Sequence, residues 1–224
     1  MRILIVSATL AETSFLLNDI LVAKPGTIFL CTAFKHPIEI LITGVGMTMT
    51  AFHLGNCLAT KQYDLIVNIG LAGAFNRDLK LGEVVNVTCD SFADIGAEAG
   101  LTFIDLYDLK LADKNEPPFK NGKLVASRIY QQHLLSLKKV EAISVNTVHG
   151  MDESINRLLT YCTPDIETME GAAFMYACLF HKTNCVQLRS ISNYVEKRDK
   201  SKWDIPLAVE QLKLAVIKFL NDVS

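Results

Sequence analysis

The sequence predicts an α/β layered fold, a mixed central sheet flanked by helices, formed as a single domain over residues 1–224. Two observations predict it. Short apolar runs rich in β-branched residues alternate with segments of helical periodicity along the chain. The run from Glu83 to Asp94 is interrupted by polar residues, which suits a bent strand in a mixed sheet and not a plain dinucleotide-binding sheet.

In chain order, strands are expected near residues 2–8, 28–34, 38–43, 65–70, 83–91, 141–148 and 185–192. Helices are expected near residues 11–21, 47–61, 126–137, 152–160, 170–181 and 205–222. The segment 47–61 is small and apolar throughout, as in a buried helix. Residues 105–122 hold Pro117, Pro118 and several charges, and read as a long loop. Met1-Arg2-Ile3-Leu4-Ile5-Val6 is too short for a signal sequence and runs into a pattern containing Glu12, so it reads as the first strand.

Composition narrows the function. The 224 residues are 50% hydrophobic and 21% charged, enough apolar material for a large core. The formal net charge of −2 implies no basic face, which argues against nucleic acid as a partner. No apolar run reaches membrane-spanning length, so no membrane partner is expected. Cys31, Cys57, Cys89, Cys162, Cys178 and Cys185 are scattered without a CxxC pair and mostly lie in apolar segments, as reduced thiols of a cytoplasmic protein do. The five histidines do not cluster with them, so no metal site is expected.

Six short constellations carry the chemistry. Ser7-Ala8-Thr9-Leu10-Ala11-Glu12 follows the first strand, where open α/β sheets bind ligands. Glu12 is either a carboxylate favoured by a helix dipole or a half-buried general base. Thr43-Gly44-Val45-Gly46 opens like a dinucleotide fingerprint, but Met49 replaces its third glycine, so close backbone approach is the better explanation. Asn68-Ile69-Gly70-Leu71-Ala72-Gly73-Ala74 reads as a tight small-residue turn exposing backbone N–H groups. Val145-Asn146-Thr147-Val148-His149-Gly150 leaves a strand at the expected rim of a site, with His149 read as structural. In Thr168-Met169-Glu170-Gly171, the glutamate suits a vicinal diol and the methionine an apolar sugar face; the alternative is a helix-start carboxylate beside a core methionine. Arg189-Ser190-Ile191-Ser192-Asn193 ends an apolar strand in a polar cluster, where an amide can accept one hydrogen bond and donate another.

The segments 166–173 and 189–193 resemble the ribose and base signatures of the purine nucleoside phosphorylase/nucleosidase superfamily, and the resemblance extends over nearly the whole chain. It implies the phosphorylase/hydrolase-like fold, a small-molecule purine nucleoside as substrate, no cofactor and a homo-oligomer. It implies that Glu12 activates the attacking water, that Glu170 holds the ribose hydroxyls with Met169 packed on the sugar, and that Ala72, Gly73 and Val148 line the substrate. Arg189 either orients Glu12 or forms a surface ion pair. Superfamily phosphorylases carry arginines in the first loop and two residues before the first glycine of the turn. Here those places hold Ser7-Ala8-Thr9 and Asn68, which favours water over phosphate, although Arg77 follows close behind. Thr168 stands where adenine-type nucleosidases have glutamate, and Glu167, displaced by one residue, is expected to point elsewhere. Asn193 stands where methylthioadenosine nucleosidases have the aspartate that protonates the base. It cannot donate such a proton, and it matches hypoxanthine better than adenine. Residues 91–98 and 193–199 resemble the futalosine hydrolase branch. The activity this implies is release of hypoxanthine from futalosine in menaquinone biosynthesis. Phe103 is a candidate to close the pocket. Methylthioadenosine/adenosylhomocysteine nucleosidase, purine nucleoside phosphorylase and a non-enzymatic nucleoside-binding protein are the alternatives.

Overall fold

A computed structural model describes residues 1–17, 20–100, 102–126 and 132–223. Its strands are β1 (Ile3–Ser7), β2 (Ile28–Cys31), β3 (Ile38–Ile42), β4 (Leu65–Ala74), β5 (Val84–Phe92) and β6 (Gly96–Ala99). They continue with β7 (Thr102–Asp105), β8 (Leu124–Val125), β9 (Lys138–Ser144), β10 (Ile166–Thr168) and β11 (Cys185–Tyr194). The helices are α1 (Met47–Thr60), α2 (Gln132–Ser136), α3 (Asp152–Leu158), α4 (Gly171–Phe180) and α5 (Ile205–Asp222).

Alternation of side chains along β1 builds two core layers. Ile3 and Ile5 pack on one face with Leu212, Val216 and Phe219 of α5, while Leu4 and Val6 pack on the other with Leu54 of α1 and Phe174 of α4. The helix α5 buries Ala208, Leu212, Ala215, Val216, Phe219 and Leu220, a helical stripe. Its start is fixed by the Asp204 carboxylate, which accepts from the Leu207 N–H at 3.0 Å.

The sheet is mixed. β1 pairs in parallel with β3 and β4, and β2 lies antiparallel on β3. β4 pairs in parallel with β11, β11 runs antiparallel to β5, and β5 runs parallel to β9. β9 pairs in parallel with β10, which returns antiparallel to β4 with Ile166 opposite Ala74 and Glu167 opposite Gly73. The path β4–β11–β5–β9–β10–β4 is therefore closed, and this half of the sheet is a five-stranded barrel. Ala72, Ala74, Val85, Val87, Val140, Ala142, Ile166 and Ile191 fill one cluster there.

Closure corrects the reading of residues 68–74 as a tight turn. They continue β4 for its last residues, because β11 and β10 supply ladder partners on both sides. The expected strand at 141–148 starts at Lys138, where it pairs with Val85, and ends at Ser144. The helix expected over 11–21 is instead two 3₁₀ turns, Leu10–Glu12 and Ser14–Leu16. The Glu12 carboxylate folds back on the Thr9 N–H and Thr13 leaves helical geometry; Asn18 and Asp19 of that segment lie outside the described residues. Of the helix expected over 126–137, only Gln132–Ser136 is described as helix, and residues 127–131 lie outside the described residues. The short ribbon of β6 with β7 was not predicted. α1 is also less buried than its composition suggested: Met47, Thr50, Leu54, Cys57 and Leu58 face inward, while Phe52 is 67% exposed.

The inward stripe of α5 predicts that Phe219→Ala, at a fully buried position, lowers stability by about 3–5 kcal/mol in a urea titration followed by circular dichroism.

Candidate active site

The strands β1, β3, β4 and β11 run parallel, so their carboxyl ends share one edge of the sheet. The loops that leave this edge, together with the start of α4, bring the polar residues together there.

Glu12 sits half-buried in the 3₁₀ turn after β1. Its Oε2 accepts from the Thr9 N–H at 2.9 Å, from Thr9 Oγ1 at 2.9 Å and from Ser7 Oγ at 3.0 Å. The other oxygen faces β4, 3.4 Å from the Leu71 nitrogen. One oxygen is thus saturated and anchored, and the other is turned to the site.

Glu170 ends the turn between β10 and α4. Helix-start N–H groups ordinarily attract such a carboxylate. Here Gly171 N–H donates to Thr168 Oγ1 at 3.1 Å and Ala172 N–H donates to Ser144 Oγ at 2.7 Å. Glu170 is therefore free to reach across to Gly46, whose N–H donates to its Oε1 at 3.0 Å. Gly46 takes φ of +100°, the left-handed region that favours glycine, and this is what the second glycine after β3 provides. Burial pushes the Glu170 carboxyl above its usual range, against the pull of Arg189 and the Gly46 N–H.

Arg189 lies mid-strand in β11 with 1% exposure, so the surface ion-pair alternative is overturned. Its Nη1 is 3.8 Å from Glu170 Oε2. Its Nε donates to Gln187 Oε1 at 3.0 Å, and its Nη2 donates to Asn68 Oδ1. Behind it, Gln187 Nε2 donates to Asp90 Oδ2 at 3.0 Å, and Ser144 Oγ donates to Asp90 Oδ1 at 3.1 Å. Burial raises the Asp90 carboxyl to about 6, opposed by Gln187, Arg189 and Ser144. A Cβ on Gly70 would overlap Arg189 Nη1 and lie 2.9 Å from Glu12 Oε1, so that glycine is the gap through which the guanidinium and the carboxylate approach each other.

Asn193 lies past a bulge in β11, paired with Gly73. Its Oδ1 accepts from Ser192 Oγ at 2.8 Å and its Nδ2 donates to the Tyr194 carbonyl at 3.0 Å. Ala72, paired with Ile191, is buried in the barrel. Met169 is half-buried at the turn into α4. Val148 is half-buried against Ala93, Ile143, Val145 and Leu158, and it shares a cavity of about 330 Å³ with His149 and Phe103. Phe103 stacks on Tyr161 with centroids 4.9 Å apart.

The structure therefore joins Glu12, Glu170 and Arg189 in one cluster and Gly73 with Asn193 in another. Val148 belongs to the adjoining cavity. Glu167, expected to point elsewhere, is buried at the border of the Asn193 cluster. It accepts from the His149 N–H at 3.0 Å and pairs with His149 Nδ1 at 2.7 Å. Sequence reasoning missed Gln187, Asp90 and Gly46. Gln187 sits two residues before Arg189 and so shares its strand face, which is a legible signal; the burial of Asp90 against it depends on a long-range pairing.

Two groups that could help to hold a dianion, Asn68 and Arg77, are already engaged. Asn68 is taken by Arg189 and by the Val6 carbonyl, to which its Nδ2 donates at 3.0 Å. Arg77 pairs with Glu196 at 2.9 Å and stacks over Tyr194.

A family model described as the phosphorylase superfamily matches residues 2–221. A futalosine hydrolase of Thermus thermophilus is 30% identical over 188 residues, covering 81% of this chain and 80% of its own. A futalosine hydrolase of Acidothermus cellulolyticus is 30% identical over 181 residues, covering 79% of this chain and 72% of its own. A solved methylthioadenosine/S-adenosylhomocysteine nucleosidase of Streptococcus pneumoniae, in complex with 8-aminoadenine, superposes with a TM-score of 0.81 at 18% identity, covering 99% of this chain and all of its own.

Two outcomes follow from the buried polar chain. Gly70→Ala forces Arg189 and Glu12 apart, and catalytic turnover falls roughly 100-fold while circular dichroism stays native, since misplacement by an ångström costs about that much. The raised folded-state value of Asp90 means its contribution to stability is complete below about pH 4 and is lost as pH rises through about 6. Asp90→Asn accordingly flattens the dependence of Tm on pH across that window, as read by thermal melts.

Proposed function

The chain belongs to the phosphorylase superfamily, and from that premise and the geometry of the site we propose that it hydrolyses the N-glycosidic bond of futalosine to hypoxanthine and dehypoxanthinyl futalosine, a step of menaquinone biosynthesis. Its relatives named futalosine hydrolase support this reading. The observation that carries it is the fixed amide of Asn193. Ser192 and the Tyr194 carbonyl hold that amide in one orientation. Each end keeps one free hydrogen-bonding position, so Oδ1 can accept from a protonated N7 while Nδ2 donates to a 6-oxo group. The 6-amino group of adenine would meet Nδ2 as donor against donor.

Cleavage of a purine riboside passes through an oxocarbenium-like sugar. Glu170 accepts hydrogen bonds from the ribose diol, with Met169 against the sugar face. Glu12, its Oε2 locked by Thr9 and Ser7, uses Oε1 to take a proton from the water that attacks C1′. Arg189 holds the two carboxylates in place from behind. Ala72, Gly73 and Val148 line the base. The protein acts in the cytoplasm as a homo-oligomer. Exposed apolar residues on neighbouring α1 and α4, among them Met49, Phe52, Tyr176 and Phe180, offer an interface.

The test is chromatography of base released from futalosine, inosine and methylthioadenosine, each with and without phosphate. Hypoxanthine appears from futalosine at the same rate in both conditions, and Glu12→Gln slows it by about 10²–10⁴-fold. Adenine release, or release that depends on phosphate, overturns the reading.

A further inference from the structure

We propose that the His149–Glu167 pair supplies the proton taken up by the departing base, with His149 as the donor and Glu167 as the residue that positions it. This rests on the hydrolase reading above, which leaves a role vacant. The leaving purine accepts a proton at N7, and the Asn193 amide is no acid.

The barrel places Glu167, and through it His149, across Gly73 from that amide. Gly73 is the strand neighbour of Asn193 on one side and of Glu167 on the other. A Cβ on Gly73 would lie 3.2 Å from Asn193 Nδ2 and 3.6 Å from Glu167 Cγ, so amide and carboxylate flank the same bare stretch of β4. Glu167, with 3% exposure, gives both oxygens to His149: Oε1 to its backbone N–H at 3.0 Å and Oε2 to ring Nδ1 at 2.7 Å. With Nδ1 committed, Nε2 is the nitrogen left to donate, and it has no hydrogen-bond partner among the described residues. The ring stands edge-on to Phe75, centroids 6.3 Å apart, and lines the cavity that also holds Val148.

A purely structural brace is already complete without the ring, because the backbone N–H bond to Oε1 ties the 145–150 loop to β10. The ring contact adds what a brace does not need, a carboxylate that stabilises imidazolium and fixes its orientation. Other charged groups near the ring are already engaged. Arg157 pairs with Glu98 at 2.9 Å, Asp94 accepts from the Asn146 N–H at 2.6 Å, and Arg198 packs its side chain against Gly150. Tyr161 of the same cavity stacks on Phe103.

In the step itself the C1′–N9 bond breaks and its electron pair stays with the base. His149 Nε2–H gives its proton to N7. The water oxygen bonds C1′ and its proton goes to Glu12. Exchange with solvent then returns a proton from Glu12 to His149, closing the cycle.

The experiment compares wild type, His149→Gln and Glu167→Gln on futalosine and on 4-nitrophenyl β-riboside, whose phenolate leaves without a proton. His149→Gln lowers kcat on futalosine by about 100-fold or more and leaves aryl riboside cleavage near wild type. Glu167→Gln lowers kcat on futalosine in the same substrate-selective way, because the ring loses the carboxylate that orients it. Wild-type turnover of futalosine by His149→Gln or by Glu167→Gln, or equal losses on both substrates, overturns the assignment. Where the aryl riboside is a poor substrate, the split between kcat and KM on futalosine decides it: both variants lower kcat and leave KM near wild type, and a loss carried by KM overturns the assignment. A wild-type enzyme that releases no hypoxanthine from futalosine fails the hydrolase reading itself, and this assignment falls with it.

Discussion

A guanidinium buried to 1% exposure is the constraint on which the site depends. Burying a charge is costly unless it is paired and hydrogen-bonded, and removing one partner leaves the other uncompensated. Arg189 is satisfied on three sides: Gln187 at Nε, Asn68 at Nη2 and Glu170 near Nη1. Gln187 in turn is held by Asp90, which Ser144 also binds. Ser144 and Thr168 then take the first N–H groups of α4. A continuous polar chain thus runs from the sheet core to the start of a helix, and Glu170 is displaced into the site because its usual place is occupied. Glu12 and Glu170 repel each other, and that repulsion adds to the raised Glu170 value. Arg189 offsets part of that repulsion through its pairing with Glu170.

The second constraint is closure of the barrel. The return of β10 onto β4 draws Glu167 alongside Gly73, while β11 draws Asn193 to its other side. Two glycines three residues apart on β4 then divide the site. At Gly70 the missing side chain makes room for Arg189 and Glu12, and at Gly73 for Asn193 and Glu167. A close approach of side chains to bare backbone, charged at Gly70 and an amide at Gly73, is the use of glycine here, and it is strand geometry, not a turn, that sets it.

This explains what the sequence showed and what it hid. Alternation of Ile3 and Ile5 with Leu4 and Val6, and the stripe of α5 from Ala208 to Leu220, were legible because the faces they mark are decided locally. The polar-interrupted run at 83–94 was legible as a mixed-sheet strand because β5 is parallel to one neighbour and antiparallel to the other. The glycines of β4 were misread as a turn because their ladder partners come from residues 166–168 and 185–194, far along the chain. Glu12, Glu170 and Asn193 stood out by residue type after strand ends. Gln187 and Asp90 did not, since a buried amide and a buried acid acquire meaning only when β11 and β5 align them.

The same balance of charge acts on the choice of nucleophile. A phosphate dianion needs cations with unspent donors, in a setting that does not already hold like charge. Around Glu12 and Glu170 the nearest cation is Arg189, whose Nε and Nη2 are already bonded and whose Nη1 faces Glu170. Arg77 is drawn away by Glu196 and Tyr194. Adding a dianion would therefore place two more negative charges beside two carboxylates and one arginine already committed to Glu170. Water brings no charge to that balance, and in the proposed reaction it supplies the proton that Glu12 takes on Oε1, the oxygen held only by the 3.4 Å contact from the Leu71 N–H. Arg189 and Arg77 thus act in one direction: each is spent on one of the protein's own acids, Glu170 and Glu196, and neither is left for an anion from outside.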